Sequence, residues 1–297
     1  MFTDAIAKVS QFTRPLMSIS RTYGSINVNP GLATMFFVND SGCAVTCKHV
    51  AEQLMQADSI NKKFRGFHQQ LDTLRETHPE DFEEQMRLLE KEFGYRPGAP
   101  ITIKYNFVNI PSPFKSFTIH THPKYDLAII QFSGYEDLHY NAEHIRLLDK
   151  DEEIRQGNSL CRLGFPFPEF KNFQYNAEKD DIEWISGPPH VPSFPMDGIV
   201  TRHLADKDGS LFGIEISTPG LRGQSGGPLF DTEGRIYGMQ SSTKHLYLGF
   251  DIEKEVVMSN GQKKEISNQP FLHVGQCVHV RIIKEFLDQH NIPYQTA

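Results

Sequence analysis

The 297 residues carry 30 Lys and Arg against 37 Asp and Glu, a net charge of −7 with neither sign gathered into a tail, so the basic footprint of a nucleic-acid binder is excluded. Four cysteines are too few and too scattered for a disulfide scaffold, and apolar runs such as 35–38 fall far short of the roughly 18 residues of a membrane span. A soluble chain of about two domain-sized units, with no membrane or nucleic-acid partner, is expected.

The first twenty residues, with Asp4 and Lys8 among them, lack the continuous apolar stretch of a secretory signal. A cytoplasmic location follows as an expectation, with Cys43, Cys47, Cys161 and Cys277 as thiols in the core. Strand-like runs then come in two groups. The first holds 33–38, 43–46, 101–108, 117–120 and 127–132, bounded by turn residues such as Asn39-Asp40-Ser41-Gly42. The second holds 199–202, 211–217, 228–230, 236–240, 246–250 and 271–280. Between the groups, about 164–197, the density of proline breaks helix and ladder alike. Many short strands in two sets predict paired barrels or sandwiches.

One stretch departs from this pattern. Over about 59–93, Phe64, Phe67, Leu71 and Leu74, then Phe82, Met86, Leu89 and Phe93, recur at three- and four-residue steps, which predicts two helices inserted in the first strand group. Thr77 with Glu80, Pro79 and Gly94 read as the capping signals of the second helix. The stripe predicts packing on the barrel or on itself, with a regulatory protein partner as the other use of that surface. A last helix is expected over about 280–290, with Ile282, Ile283, Phe286 and Leu287 on one face.

The chemistry-bearing block is Gly223-Gln224-Ser225-Gly226-Gly227-Pro228-Leu229-Phe230. A serine hydroxyl needs a base to take its proton and donors to receive the charge pushed onto the attacked carbonyl. Glycines beside Ser225 allow the tight turn and the close approach of substrate backbone. His49 lies just past a buried strand in Cys-Ala-Val-Thr-Cys-Lys-His49-Val-Ala, and Asp126 stands immediately before the apolar run Leu127-Ala-Ile-Ile130.

TCKHVA, DLAIIQF and GQSGGPLF together resemble the signature blocks of chymotrypsin-like serine proteases, and within that family the bacterial HtrA-like branch. The resemblance runs from about residue 33 onward and keeps the order His, Asp, Ser. It implies an all-β, chymotrypsin-like double β-barrel with an inserted helical hairpin and a C-terminal helix: 1–165 as N-terminal extension and first barrel, 166–197 as connection, and 198–297 as second barrel and helix. It implies a serine endopeptidase acting on a protein or peptide substrate without cofactor. Ser225 would be the nucleophile, His49 the general base and Asp126 the orienting acid, with the N–H groups of Gly223 and Ser225 as oxyanion hole. Pro219, Gly220, Ser241, Ser242 and Thr243 would bind substrate. Pro219, where an acid would select Lys or Arg, argues against trypsin-like cleavage.

Three other readings compete. G-x-S-x-G is also the nucleophile elbow of α/β-hydrolases, which would make the chain an esterase, but that motif needs a helix directly after the turn. Cys43, Cys47 and His49, or His273, Cys277 and His279, offer metal-ligand residue types at spacings unlike those of structural zinc, so no metal is expected. A protease fold kept as a silent or gated binding module would retain the same three residues.

Overall fold

Helix α1 (Thr3–Ser10) leads into β1 (Thr13–Thr22), β2 (Asn29–Phe37) and β3 (Cys43–Thr46). Helices α2 (Lys48–Thr77) and α3 (Phe82–Phe93) separate these from β4 (Pro100–Phe107), β5 (Ser116–Thr121) and β6 (Ala128–Ser133). The computed structural model, which describes residues 1–187, 189–257 and 263–297, joins the six strands into one antiparallel sheet in the order β4-β1-β2-β3-β6-β5. Its edges curl together through aromatic rings: Phe107 meets Phe117 at 5.7 Å and Phe132 at 5.5 Å. Ala44, Val45, Ile129 and Ile130 are wholly buried, so β3 and β6 read as continuous apolar runs because both of their faces are covered.

The second half contains β7 (Ser159–Arg162), β8 (Phe173–Asn176), β9 (Asp181–Trp184), β10 (Met196–Ala205), β11 (Leu211–Ile216), β12 (Pro228–Phe230), β13 (Ile236–Tyr247), β14 (Ile252–Val257), β15 (Lys263–Asn268) and β16 (Phe271–His279). Six of these close a barrel, β10-β11-β16-β13-β12-β7. Closure leaves that barrel without an unpaired edge along its main ladder. Helix α4 (Val280–Gln289) follows; Ile282, Ile283, Phe286 and Leu287 are buried, and His279 Nδ1 caps it by accepting from the Arg281 N–H at 3.1 Å. The double-barrel architecture with inserted helices and terminal helix is therefore present. No helix among the described residues is long and apolar enough to cross a membrane.

Several boundaries differ from the sequence expectation. Helix α2 begins at Lys48, well before residue 59, because Val50, Leu54 and Ala57 extend the buried stripe back to the end of β3. Thr77 ends α2, its hydroxyl returning to the Thr73 carbonyl at 2.8 Å, and Asp81 is the residue preceding α3; Pro79 falls in the turn between them. Gly94 does end α3 in the left-handed region. Strand β7 lies N-terminal to residue 165, yet it is hydrogen-bonded to β10 and β12 and so belongs to the second barrel. The proline-rich connection carries the hairpin β8–β9, packed through Phe170 and Ile182 onto Met17 and Ile19 of the first sheet; residue 188 of that connection lies outside the described residues.

Candidate active site

Ser225 sits in the turn between β11 and β12, where glycines bear the backbone demands. Gly223 and Gly226 have φ of +99° and +88°, and a Cβ on Gly226 would stand 2.0 Å from the Thr34 carbonyl oxygen. Neither position accepts a side chain. The turn is tied down by Gly226 N–H to the Gln240 carbonyl at 2.8 Å and Gly227 N–H to the Gln224 carbonyl at 2.9 Å. Gln224 is fully buried; its Oε1 accepts from the Leu221 N–H at 2.9 Å and its Nε2 donates to the Phe194 carbonyl at 3.1 Å. Among the described residues the N–H groups of Gly223 and Ser225 have no protein acceptor, and both residues line the larger cavity.

The first barrel reaches into this turn through Thr34 of β2. Its N–H donates to the Ser225 carbonyl at 2.9 Å and its hydroxyl to the Gly223 carbonyl at 2.8 Å. Thr46 Oγ1 in turn donates to the Thr34 carbonyl at 2.8 Å.

His49 occupies the first turn of α2, and Asp126 the residue pair before β6. The imidazole Nδ1 lies 2.9 Å and 3.1 Å from the two Asp126 oxygens, and the His49 backbone N–H donates to Oδ1 at 3.0 Å. The Nδ1–H tautomer is therefore assigned from its carboxylate partner, leaving Nε2 as an acceptor. Ser241 Oγ donates to Asp126 Oδ2 at 2.6 Å. Burial by itself would raise the Asp126 carboxyl, but the bonds from His49 and Ser241 outweigh it and hold the group at about 2. The hydrogen bond to Asp126 raises the His49 imidazole above its ordinary 6.5, against the opposing effect of burial.

His49 and Ser225 line the same two cavities. One, about 720 Å³, runs past Leu16, Tyr105 and Pro166, and the other, about 440 Å³, past Pro219, Gly220 and Ser241 to Thr243. The cleft thus opens on both sides of the serine. The Ser225 hydroxyl donates to the Ser241 carbonyl at 3.4 Å, and among the described residues it makes no hydrogen bond to His49.

Ser241, Ser242 and Thr243 are expected from the sequence to form a substrate edge. All three do line the smaller cavity, and beyond Gln240 the side of β13 away from β16 is unpaired among the described residues. The Ser241 side chain has a different task, as the third bond on Asp126. Thr243 Oγ1 closes the pocket wall on the Gly220 carbonyl at 2.7 Å. Thr34, Gln240 and Arg162 went unforeseen; the one signal for Arg162 is a charge standing inside the apolar run Leu160-Cys161-Arg162-Leu163.

The competing chemistries fare differently. After Ser225 comes the short strand β12 and a turn at 231–235, with no helix, which is the wrong geometry for a nucleophile elbow. Ligand atoms of Cys47, His49 and Asp126 do fall within 4.8 Å of one another. Cys47 is wholly buried, though, with its thiol donating to the Gln240 carbonyl at 3.2 Å and pushed well above its ordinary range by desolvation. A metal would have to displace a proton from the least ionisable of the three.

Residues 33–239 match the family model described as the trypsin-like peptidase domain. Among solved structures, the chain is similar to the HtrA-type protease AlgW with decapeptide, at 12% identity over 97% of this chain and 66% of that one, with a TM-score of 0.48. It is also similar to AlgW with tripeptide, at 13% identity over 98% and 65%, with a TM-score of 0.47. The chain spans just under two thirds of the length of those structures. No curated protein matches.

Proposed function

The chain belongs to the trypsin-like peptidase domain family, and from that premise we propose that it is a serine endopeptidase working through an acyl-enzyme on Ser225. Attack by the Ser225 oxygen on a peptide carbonyl transfers the hydroxyl proton to His49 Nε2, and the Gly223 and Ser225 N–H groups receive the charge on the carbonyl oxygen. Asp126 fixes the imidazole and stabilises the imidazolium, which then protonates the leaving amine. Water, deprotonated by the same ring, releases the acid product. For the first step the Ser225 hydroxyl must leave the Ser241 carbonyl and turn to His49 Nε2.

The observation that carries this reading is the His49–Asp126–Ser241 arrangement at the wall of a cleft that continues on both sides of Ser225. A cleft open at both ends suits an extended chain cut internally. The Ser225 bond to the Ser241 carbonyl favours a second reading, a protease-fold binding module whose serine is held off the base. Digestion of casein separates the two. The wild-type chain should cleave it, with Ser225→Ala and His49→Ala inert; intact casein under every condition would leave the module.

A further inference from the structure

On a chain of net charge −7, no aspartate or glutamate lines either cavity beside Ser225. Besides His49, the basic groups there are Arg222, exposed and without an ion-pair partner among the described residues, and His245 and His273. The two histidines face each other in register across β13 and β16 with their Nδ1 atoms 2.5 Å apart.

Beneath the floor of the smaller cavity lies Arg162, with no solvent exposure. One guanidinium nitrogen donates to Gln240 Oε1 at 2.5 Å. The other donates to Thr218 Oγ1 at 2.6 Å and to the Thr218 and Pro219 carbonyls at 3.0 Å. Nε is buried without a partner. Every acceptor is neutral, and among the described residues no carboxylate lies within ion-pair distance. Glu215 is held by Arg202 at 2.6 Å, and Asp126 by His49 and Ser241. Gly275 lacks a side chain where a Cβ would stand 2.3 Å from Arg162 Nη1, so the cation comes directly against the backbone of β16. An arginine stays charged when buried, and an uncompensated buried charge is costly. Here the countercharge can arrive from the cavity.

We propose that the Pro219–Thr243 pocket selects an acidic side chain, glutamate by its reach, at the substrate residue whose carbonyl is attacked. The inference rests on the endopeptidase reading above. Arg222 and the histidine pair supply contacts at the mouth, and Arg162 acts through its field behind the Gln240 amide.

The test is a set of peptides identical but for Glu, Gln, Leu or Lys at that residue. The Glu peptide should exceed its isosteric Gln counterpart in kcat/KM by about 30-fold, the effect of one unit charge at roughly 8 Å in a partly screened site. Arg222→Ala should cut the Glu-to-Gln ratio several-fold, and Arg162→Met should collapse it. If Arg162→Met does not fold, the Arg222→Ala and His273→Ala ratios decide. Casein digestion together with Glu and Gln peptides cut within twofold of each other, or with Leu or Lys preferred, overturns the acidic selection and leaves the peptidase standing. Casein left intact removes both.

Discussion

Thr34 Oγ1 donates to the Gly223 carbonyl at 2.8 Å, so a residue of the first barrel pins the Gly223–Gln224 peptide, which stands in the chain between the two N–H groups proposed as oxyanion donors. The two barrels are thereby coupled at the point where charge would develop, and Thr34 acts as a positioning residue.

Thr34→Val keeps the shape and removes the hydroxyl, leaving the Gly223 carbonyl and the Phe165 N–H, which donates to Thr34 Oγ1 at 3.2 Å, without that partner. Loss of oxyanion alignment should lower kcat by about 10- to 100-fold with little change in KM. Thr34→Ser should restore most of it. Steady-state kinetics on one peptide substrate checks the split, and a change confined to KM would count against the assignment.

The pH profile follows from the Asp126 bond. His49 must be neutral at Nε2 to take the serine proton, so activity is lost as pH falls through its pKa, which the bond raises above 6.5. Asp126, held at about 2, stays ionised throughout that range and adds no second acid limb. The wild-type midpoint in kcat/KM should lie above 6.5. Asp126→Asn should move it down and cost about 10⁴-fold in kcat.

Gly226→Ala places a Cβ 2.0 Å from the Thr34 carbonyl at a φ of +88°. Both the clash and the left-handed backbone oppose it, so the variant should lose at least about 2 kcal/mol of stability as well as activity. Urea unfolding followed by circular dichroism measures the first.

The helical insertion is fastened by Arg21, 4% exposed, whose guanidinium meets Asp180 Oδ1 at 2.7 Å; the Asp180 Oδ2 takes His68 Nε2 at 2.8 Å. Phe64 and Tyr175 cover the guanidinium on its faces. Asp180→Ala leaves that cation without its carboxylate. Because Asp180 is itself partly exposed, the cost should be about 2 kcal/mol, under the 3 to 5 kcal/mol of fully buried pairs. Thermal unfolding checks it.

The three signature blocks were legible because local demands fix residue type: Gly226 has a φ of +88° against the Thr34 carbonyl, and Asp126 takes the bonds of His49 and Ser241. Strand β1 was missed because its alternation, Arg14-Pro15-Leu16-Met17-Ser18, mixes a proline and charges into a run whose apolar members are few. The start of α2 was misplaced because the aromatic and leucine recurrence is plain only from Phe64 onward, whereas Val50, Leu54 and Ala57 carry the buried stripe back to Cys47. Strand β7 joined the second barrel through ladders to β10 and β12, partners far along the chain that no local pattern announces. Arg162 stood out only as a charge inside an apolar run, and its meaning lies in the distant Gln240 and Thr218.

Reaction with a fluorophosphonate tests the central claim most directly, because only a serine deprotonated beside an oxyanion pocket is phosphonylated at speed. Intact-mass and peptide mapping should find one adduct, on Ser225, lost in His49→Ala and in Ser225→Ala. An unlabelled wild-type chain, or an adduct at another residue that persists in His49→Ala, would contradict the account.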